Sequence, residues 1–113
     1  MGSLLFKIVH AALWRESEAA GRFTGAPVDE RDGFIHLSTA AQVRETARLH
    51  FAGAAGLLLV AVSTDALERL DLRWEPSRGG DLFPHLYGDL PLSAVVWVQP
   101  LPLGADGQHV FPV

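Results

Sequence analysis

The order of apolar runs and helical stripes along this chain predicts an α+β fold: a single domain over residues 1–113, with two main helices packed on a bent, mostly antiparallel β-sheet. Three observations carry that expectation. The elements alternate β-α-β-α-β at first and are mostly β thereafter. Residues 57–62 (LLLVAV) form an uninterrupted apolar run of strand length, the pattern of a central strand buried on both faces. Two stretches of helical character are each followed by glycine, which closes helices because it enters left-handed geometry without a Cβ clash.

Residues 4–9 are rich in apolar side chains and read as the first strand. Residues 11–20, rich in Ala and Glu, read as a helix capped by Gly21. Residues 22–32 hold Gly25, Pro27 and Asp29 and read as a loop. Residues 34–37 make a short strand. Thr39 and Gln42 then stand at the Thr-x-x-Gln spacing of a capping box. Behind them Ala40, Val43, Ala47 and Phe51 recur at helical intervals, with Arg44, Glu45 and Arg48 off that stripe, and Gly53 and Gly56 end the helix. After the central run, Thr64 can cap a short turn through Leu70. Residues 72–75 read as a strand, 76–80 (PSRGG) as a loop, 82–87 as mixed and 94–98 as a strand, with the proline-bearing tail after Gln99 as loop or edge.

Apolar residues make up 49% of the chain and charged residues 19%, a globular balance. No apolar run approaches the length that crosses a bilayer, and no signal-peptide pattern opens the chain. There is no cysteine for a disulfide, a thiolate nucleophile or a sulfur-bound metal. The expected setting is therefore the cytoplasm, with no membrane partner. A net charge of −4 argues against general nucleic-acid binding, which needs clustered Lys and Arg. Eight of the nine basic residues are Arg, which leaves Lys7 as the one lysine.

Three short words each set a histidine among apolar residues: KIVH, ending at His10; GFIHLST, carrying His36; and LFPHLYGDLPL, carrying His85. A histidine in such a setting needs a partner or a task, and an ordinary pKa of about 6.5 suits it to proton traffic. Strand alternation puts Phe34, His36 and Ser38 on one face and Ile35 and Leu37 on the other. If residues 82–87 are extended, Phe83, His85 and Tyr87 share a face in the same way. Pro84 cannot donate a ladder hydrogen bond, which places its segment at a sheet edge or a bulge. His10 ends a strand directly before a helix, where a side chain can point into a cleft at the sheet end. The expectation is that His10, His36 and at least one of His85 and Glu75 border one concavity. The same residues allow a different class of protein, a non-catalytic structural or protein-interaction module in which each histidine has its own hydrogen bond. His50 and His109 read as surface residues, and Trp74 and Trp97 as core. Residues 74–80 (WEPSRGG) offer a carboxylate, Glu75, a guanidinium, Arg78, and a backbone that can approach a ligand closely. No H-x-H or H-E-x-x-H pair is present, nor a G-x-G-x-x-G, P-loop or G-x-S-x-G word, so neither a metal site nor a nucleophilic serine is expected.

The segments KIVHAALWRESEAAGRF, DGFIHLSTAAQV and LRWEPSRGGDLFPHLYGDLPLSAVVWV, with their spacing, closely resemble the bacterial domain-of-unknown-function family 952 (DUF952), from Phe6 to about Leu101. That family is similar in turn to the ADP-ribosyltransferase superfamily, most of all to its RNA 2′-phosphotransferase branch. IVH at His10, followed by AGRF at Gly21, resembles that branch's strand ending in His and helix closing on Gly plus an apolar residue. GFIHLS at His36 resembles its second His-bearing strand. The resemblance implies an ADP-ribosyltransferase-like split sheet and a cleft for NAD or ADP-ribose. In that cleft His10 and His36 would hold the ribose, and Glu75 or His85 would handle a proton. Ser38, Arg78 and Tyr87 would help seat the ligand, Arg78 through a phosphate. The implied activity is a transferase or hydrolase reaction on NAD- or ADP-ribose-type ligands, and the implied partner is a nucleotide-like small molecule.

Overall fold

The computed structural model describes residues 2–112, with the side chain of Arg78 outside what it describes. Strand β1, Leu4–His10, runs straight into α1, Ala11–Ala20, which stops on Gly21 at φ 87°. Next come β2, Arg22–Phe23, and a short helix α2, Pro27–Asp32. Strands β3, Ile35–His36, and β4, Ser38–Thr39, precede α3, Val43–His50. The remainder is β5, Leu57–Ser63; α4, Thr64–Glu68; β6, Leu72–Ser77; β7, Asp81–Leu86; β8, Leu90–Pro91; and β9, Val95–Leu101. The protein is thus α+β, with four α-helices among the described residues and every strand pair antiparallel.

The strands form a four-stranded sheet in the order β4-β1-β5-β9, a three-stranded sheet β3-β7-β6 and a two-stranded sheet β2-β8. The expected central strand is β5, which pairs with β1 along its whole length and with β9 on its other side. Period-two alternation divides the core between the two faces of this sheet. Leu5, Val9, Val60 and Val62 face Trp14 of α1 and Leu67 of α4. Phe6, Ile8, Leu57, Leu59 and Ala61 face Val43 and Ala47 of α3.

Several local expectations give way. Residues 22–32 are not a plain loop, because Pro27 opens α2 with its φ already helical and the Asp29 carboxylate takes the Ala26 N–H at 2.8 Å. Gln42 does reach back to the Thr39 N–H at 3.1 Å, but the helix begins later, at Val43. Ser63, and not Thr64, caps α4, accepting from the Ala66 N–H at 3.2 Å. Pro76 and Ser77 belong to β6, and only residues 78–80 turn the hairpin into β7. Trp74 is not core but 41% exposed. His109 is no free surface residue either, since its Nε2 bonds the Ala54 carbonyl at 2.8 Å.

Pro84 corrects the largest expectation. Its strand is the middle one of its sheet, not an edge. The N and O atoms of one residue point to the same side of a strand, and the Pro84 carbonyl accepts from the Leu37 N–H at 3.1 Å. The missing donor therefore faces β3, which ends at His36 and asks nothing of it. At this point the chain forks. Residues 35–36 pair with β7, and two residues later Ser38 and Thr39 pair with Phe6 and Leu5 of β1. The two sheets diverge from Leu37, and a cavity of about 530 Å³ opens between them.

Candidate functional site

His36 and His85 are register partners on β3 and β7, so both stand on the same face of the three-stranded sheet. Their ring centroids are 5.6 Å apart, and both rings line the cavity. Phe34 lies two residues before His36 and so shares its face. Its ring stacks on His85 at 4.1 Å and touches the rings of His36 at 4.6 Å and Tyr87 at 5.2 Å. Glu75 belongs to the same face from β6. Its Oε1 accepts from His85 Nδ1 at 2.8 Å and from the Tyr87 hydroxyl at 2.7 Å. Those two hydrogen bonds hold the Glu75 carboxyl below the usual carboxylate range and raise the Tyr87 phenol above its own. A carboxylate only accepts, so Nδ1 of His85 carries the hydrogen. Nε2 has no hydrogen-bond partner among the described residues, on a ring that lines the cavity.

His36 is bound differently. Its Nδ1 lies 2.7 Å from Asp29 Oδ1, which also accepts the His36 backbone N–H at 3.1 Å and Lys7 Nζ at 2.9 Å. Lys7 and Asp29 have side chains only 6% and 1% exposed. The pair is unequal: the carboxylate collects four donors, counting Ala26 N–H, and the ammonium has one acceptor among the described residues. Burial alone would raise the Asp29 carboxyl, but the His36 bond, the Lys7 charge and the two backbone N–H groups bring it down to about 2. Burial pushes the Lys7 ammonium below the ordinary lysine range against the pull of Asp29. The carboxylate, held by four donors, is the partner that this site stabilises in its charged form, whereas burial works against the charge on Lys7. The other ring nitrogen of His36, Nε2, meets Asp32 Oδ2 at 2.9 Å, and Asp32 is itself held low by Arg31, whose Nε donates to Oδ1 at 3.0 Å.

His36, His85, Glu75 and Tyr87 are therefore brought together, with Ser38 on the cavity wall beside them, its hydroxyl sharing a 2.9 Å hydrogen bond with Thr46. His10 is not among the residues that line the cavity. It alternates with Phe6 and Ile8, while His36 is tied to Lys7 on the opposite face of β1. The His10 ring stands 6.4 Å from that of Phe51, whose other surroundings include the cavity. The phosphate role of Arg78 falls on a side chain outside the described residues. His50, read as a surface residue, is exposed and also lines the cavity from the end of α3. Sequence reasoning missed Lys7, Asp29, Asp32 and His50 as neighbours of the site. The available signals were a single lysine in an apolar strand and an Asp three residues after Ala26, at the third position of a helix that Pro27 opens. Among the described residues no group of three or more His, Asp and Glu side chains is arranged to hold a metal ion, and no helix is long and apolar enough to cross a membrane.

No curated protein matches this chain. Its fold matches the crystal structure of protein CC0527 from Caulobacter crescentus with a TM-score of 0.90 and 48% identity, over 96% of this chain and 94% of the other. The solution structure of CC0527 matches with a TM-score of 0.83 and 50% identity, over 93% and 90% of the two chains. The model of the family described as "Protein of unknown function (DUF952)" matches residues 8–98, and the chain belongs to that family.

Proposed function

We propose that the cavity at the fork binds an NAD- or ADP-ribose-like ligand and that the protein acts on it as a transferase or hydrolase, with His85 as the proton-handling group. The observation that carries this reading is the oriented imidazole of His85: Nδ1 is fixed by Glu75 at 2.8 Å, and Nε2 has no partner among the described residues. A carboxylate behind an imidazole whose far nitrogen is available is the arrangement a general base needs. In the reaction, Nε2 takes the proton of a hydroxyl or water that attacks the ribose carbon, while the leaving group departs with its bonding pair.

The volume of about 530 Å³ is that of a small-molecule site. The divergence of two antiparallel sheets at Leu37 agrees with the split sheet implied by the resemblance to ADP-ribosyltransferases. In this reading His36 and Ser38 seat the ribose side of the ligand, Tyr87 supports Glu75, and Arg78 meets a phosphate. His10 takes part only with a ligand that extends past Phe51. Thermal shift with NAD and ADP-ribose tests the reading, since a ligand that binds only the folded state raises Tm by mass action. The expected result is a rise with at least one of them, lost in His36→Ala. A melting curve that neither nucleotide moves at millimolar concentration, or an equal shift in the variant, would overturn it.

A further inference from the structure

The lining of the cavity has an unequal charge inventory for an acidic protein. Lys7, Arg31, His36, His50 and His85 contribute to it, and Asp32 is its one carboxylate among the described residues. Lys7 is already neutralised from behind by Asp29. What remains is a wall rich in side-chain nitrogens, with a single carboxylate among the described residues placed upon it.

That anion sits on His36. Both ring nitrogens of His36 face carboxylate oxygens, and because carboxylates only accept, both contacts are satisfied only when both nitrogens carry hydrogen. The two contacts are not alike. Asp29 is 1% exposed and fixed by four donors, so Nδ1–H is permanently engaged. Asp32 has its side chain 31% exposed, is the last residue of α2 before Gly33, and among the described residues its carboxylate is hydrogen-bonded by Arg31 and His36 alone. Arg31 is itself a cavity residue, with its side chain 73% exposed.

We propose that the Nε2–H of His36 is a phosphate receptor whose seat the Asp32 carboxylate occupies, so that a ligand phosphate enters by displacing Asp32 and takes over its donors from His36 and Arg31. The exchange trades one oxyanion for another on the same two donors, and a phosphate, with more charge and more acceptor oxygens than a carboxylate, makes the stronger set of charge-assisted bonds. Lys7 and Asp29 are positioning residues in this scheme: they fix the ring so that Nε2 points at the cavity wall. The contact between Asp32 and His36 is then self-inhibitory, and it screens the site against weakly charged ligands. The proposal shares the cavity of the nucleotide reading above and rests on it only for the source of the phosphate; it gives His36 a phosphate in place of the ribose contact and leaves the ribose to Ser38.

Inorganic phosphate is the direct probe. Titrated against the parent protein, Asp32→Ala and Asp32→Asn, it should bind Asp32→Ala about tenfold or more tightly than the parent, because a competing charged hydrogen bond has been removed. Asp32→Asn, which keeps an oxygen acceptor without the charge, should fall between them. Nitrogen-15 spectra of the histidine side chains provide the site readout: phosphate should move His36 Nε2 and leave Nδ1 in place. Equal or weaker binding to Asp32→Ala overturns the proposal, and so does tighter binding that leaves Nε2 unmoved. ADP-ribose forms a separate arm. If it binds neither protein while phosphate behaves as expected, the nucleotide reading falls and the receptor stands. If it binds the parent and binds Asp32→Ala no better, the receptor falls and the nucleotide reading stands.

Discussion

Removing either partner of the Lys7–Asp29 pair should cost very different amounts of stability. Asp29→Ala strips Lys7 of its acceptor and leaves an ammonium 94% enclosed in protein, on the same face of β1 as Leu5 and Val9. Breaking a buried pair in this way typically costs about 3–5 kcal/mol, most of it from the uncompensated charge. The same change removes the acceptor of the Ala26 N–H and of the two donors of His36. Lys7→Met is the gentler cut. Asp29 keeps three donors, the methionine side chain is apolar and of similar length, and the desolvation of the ammonium is relieved. The loss of one charged hydrogen bond, about 1.5–3 kcal/mol, is offset in part by that relief, so a net cost of about 0–2 kcal/mol is expected. Urea unfolding of both variants, with the slope m checked against the parent, gives the comparison directly. Equal destabilisation of the two variants, or a costlier Lys7→Met, would show that the carboxylate does not depend on its backbone and His36 donors as described.

The remaining predictions concern pH, the core and the Glu75 cluster. Because the folded-state Asp29 carboxyl is depressed from 3.8 to about 2, it contributes stability that is fully present above pH ~4 and lost as pH falls towards 2, about 2–3 kcal/mol at ~1.4 kcal/mol per pH unit. Acid titration of the unfolding free energy should show that loss in the parent and not in Asp29→Asn. Leu59, fully enclosed on β5 between Ile8 and Gln99, should cost about 2–5 kcal/mol when changed to Ala, and an unchanged urea midpoint would refute its place in the core. Tyr87 is the only tyrosine, so ultraviolet absorbance titrates it alone. Glu75→Gln should bring its midpoint down towards the ordinary phenol value, since the carboxylate that accepts its proton is what holds it high.

What could be read in the residues was what short-range periodicity controls. The apolar run at 57–62 is the middle of the large sheet, and α1 ends on Gly21. Alternation alone placed Phe34 with His36 and Phe83 with His85, and one strand pairing then puts all four on a shared face. The rest depends on contacts that no window of sequence contains. Lys7 and Asp29 are 22 residues apart, and nothing near either marks the other as its partner. Asp32 and His50 reach the cavity because α2 and α3 flank the fork, which is a property of packing. His10 sits in a word as suggestive as the other two, yet it is the last residue of β1 and lies outside the cavity that Phe6 and Ile8, on its own face, help to line. Pro84 misled for a related reason: the rule that keeps proline off central strands presumes that both neighbours extend past it, and β3 does not.

The fork at Leu37 also makes the two walls of the cavity mechanically unlike. One wall is β1, registered with β5 over all seven of its residues in the middle of the largest sheet. The opposite wall is β7 with β6, fastened to β3 by only two residue pairs. Local opening draws on the segments with the fewest cross-links, so a guest wedged between the walls loads a stiff plate on one side and a compliant flap on the other. His85 and Glu75 belong to the flap. His36 stays near the plate, moored through Asp29 to Lys7 on β1. His36 and His85 stay register partners, so the dimension that adjusts to the size of what enters is the gap between β1 and the part of β7 around Phe83 that lies beyond β3.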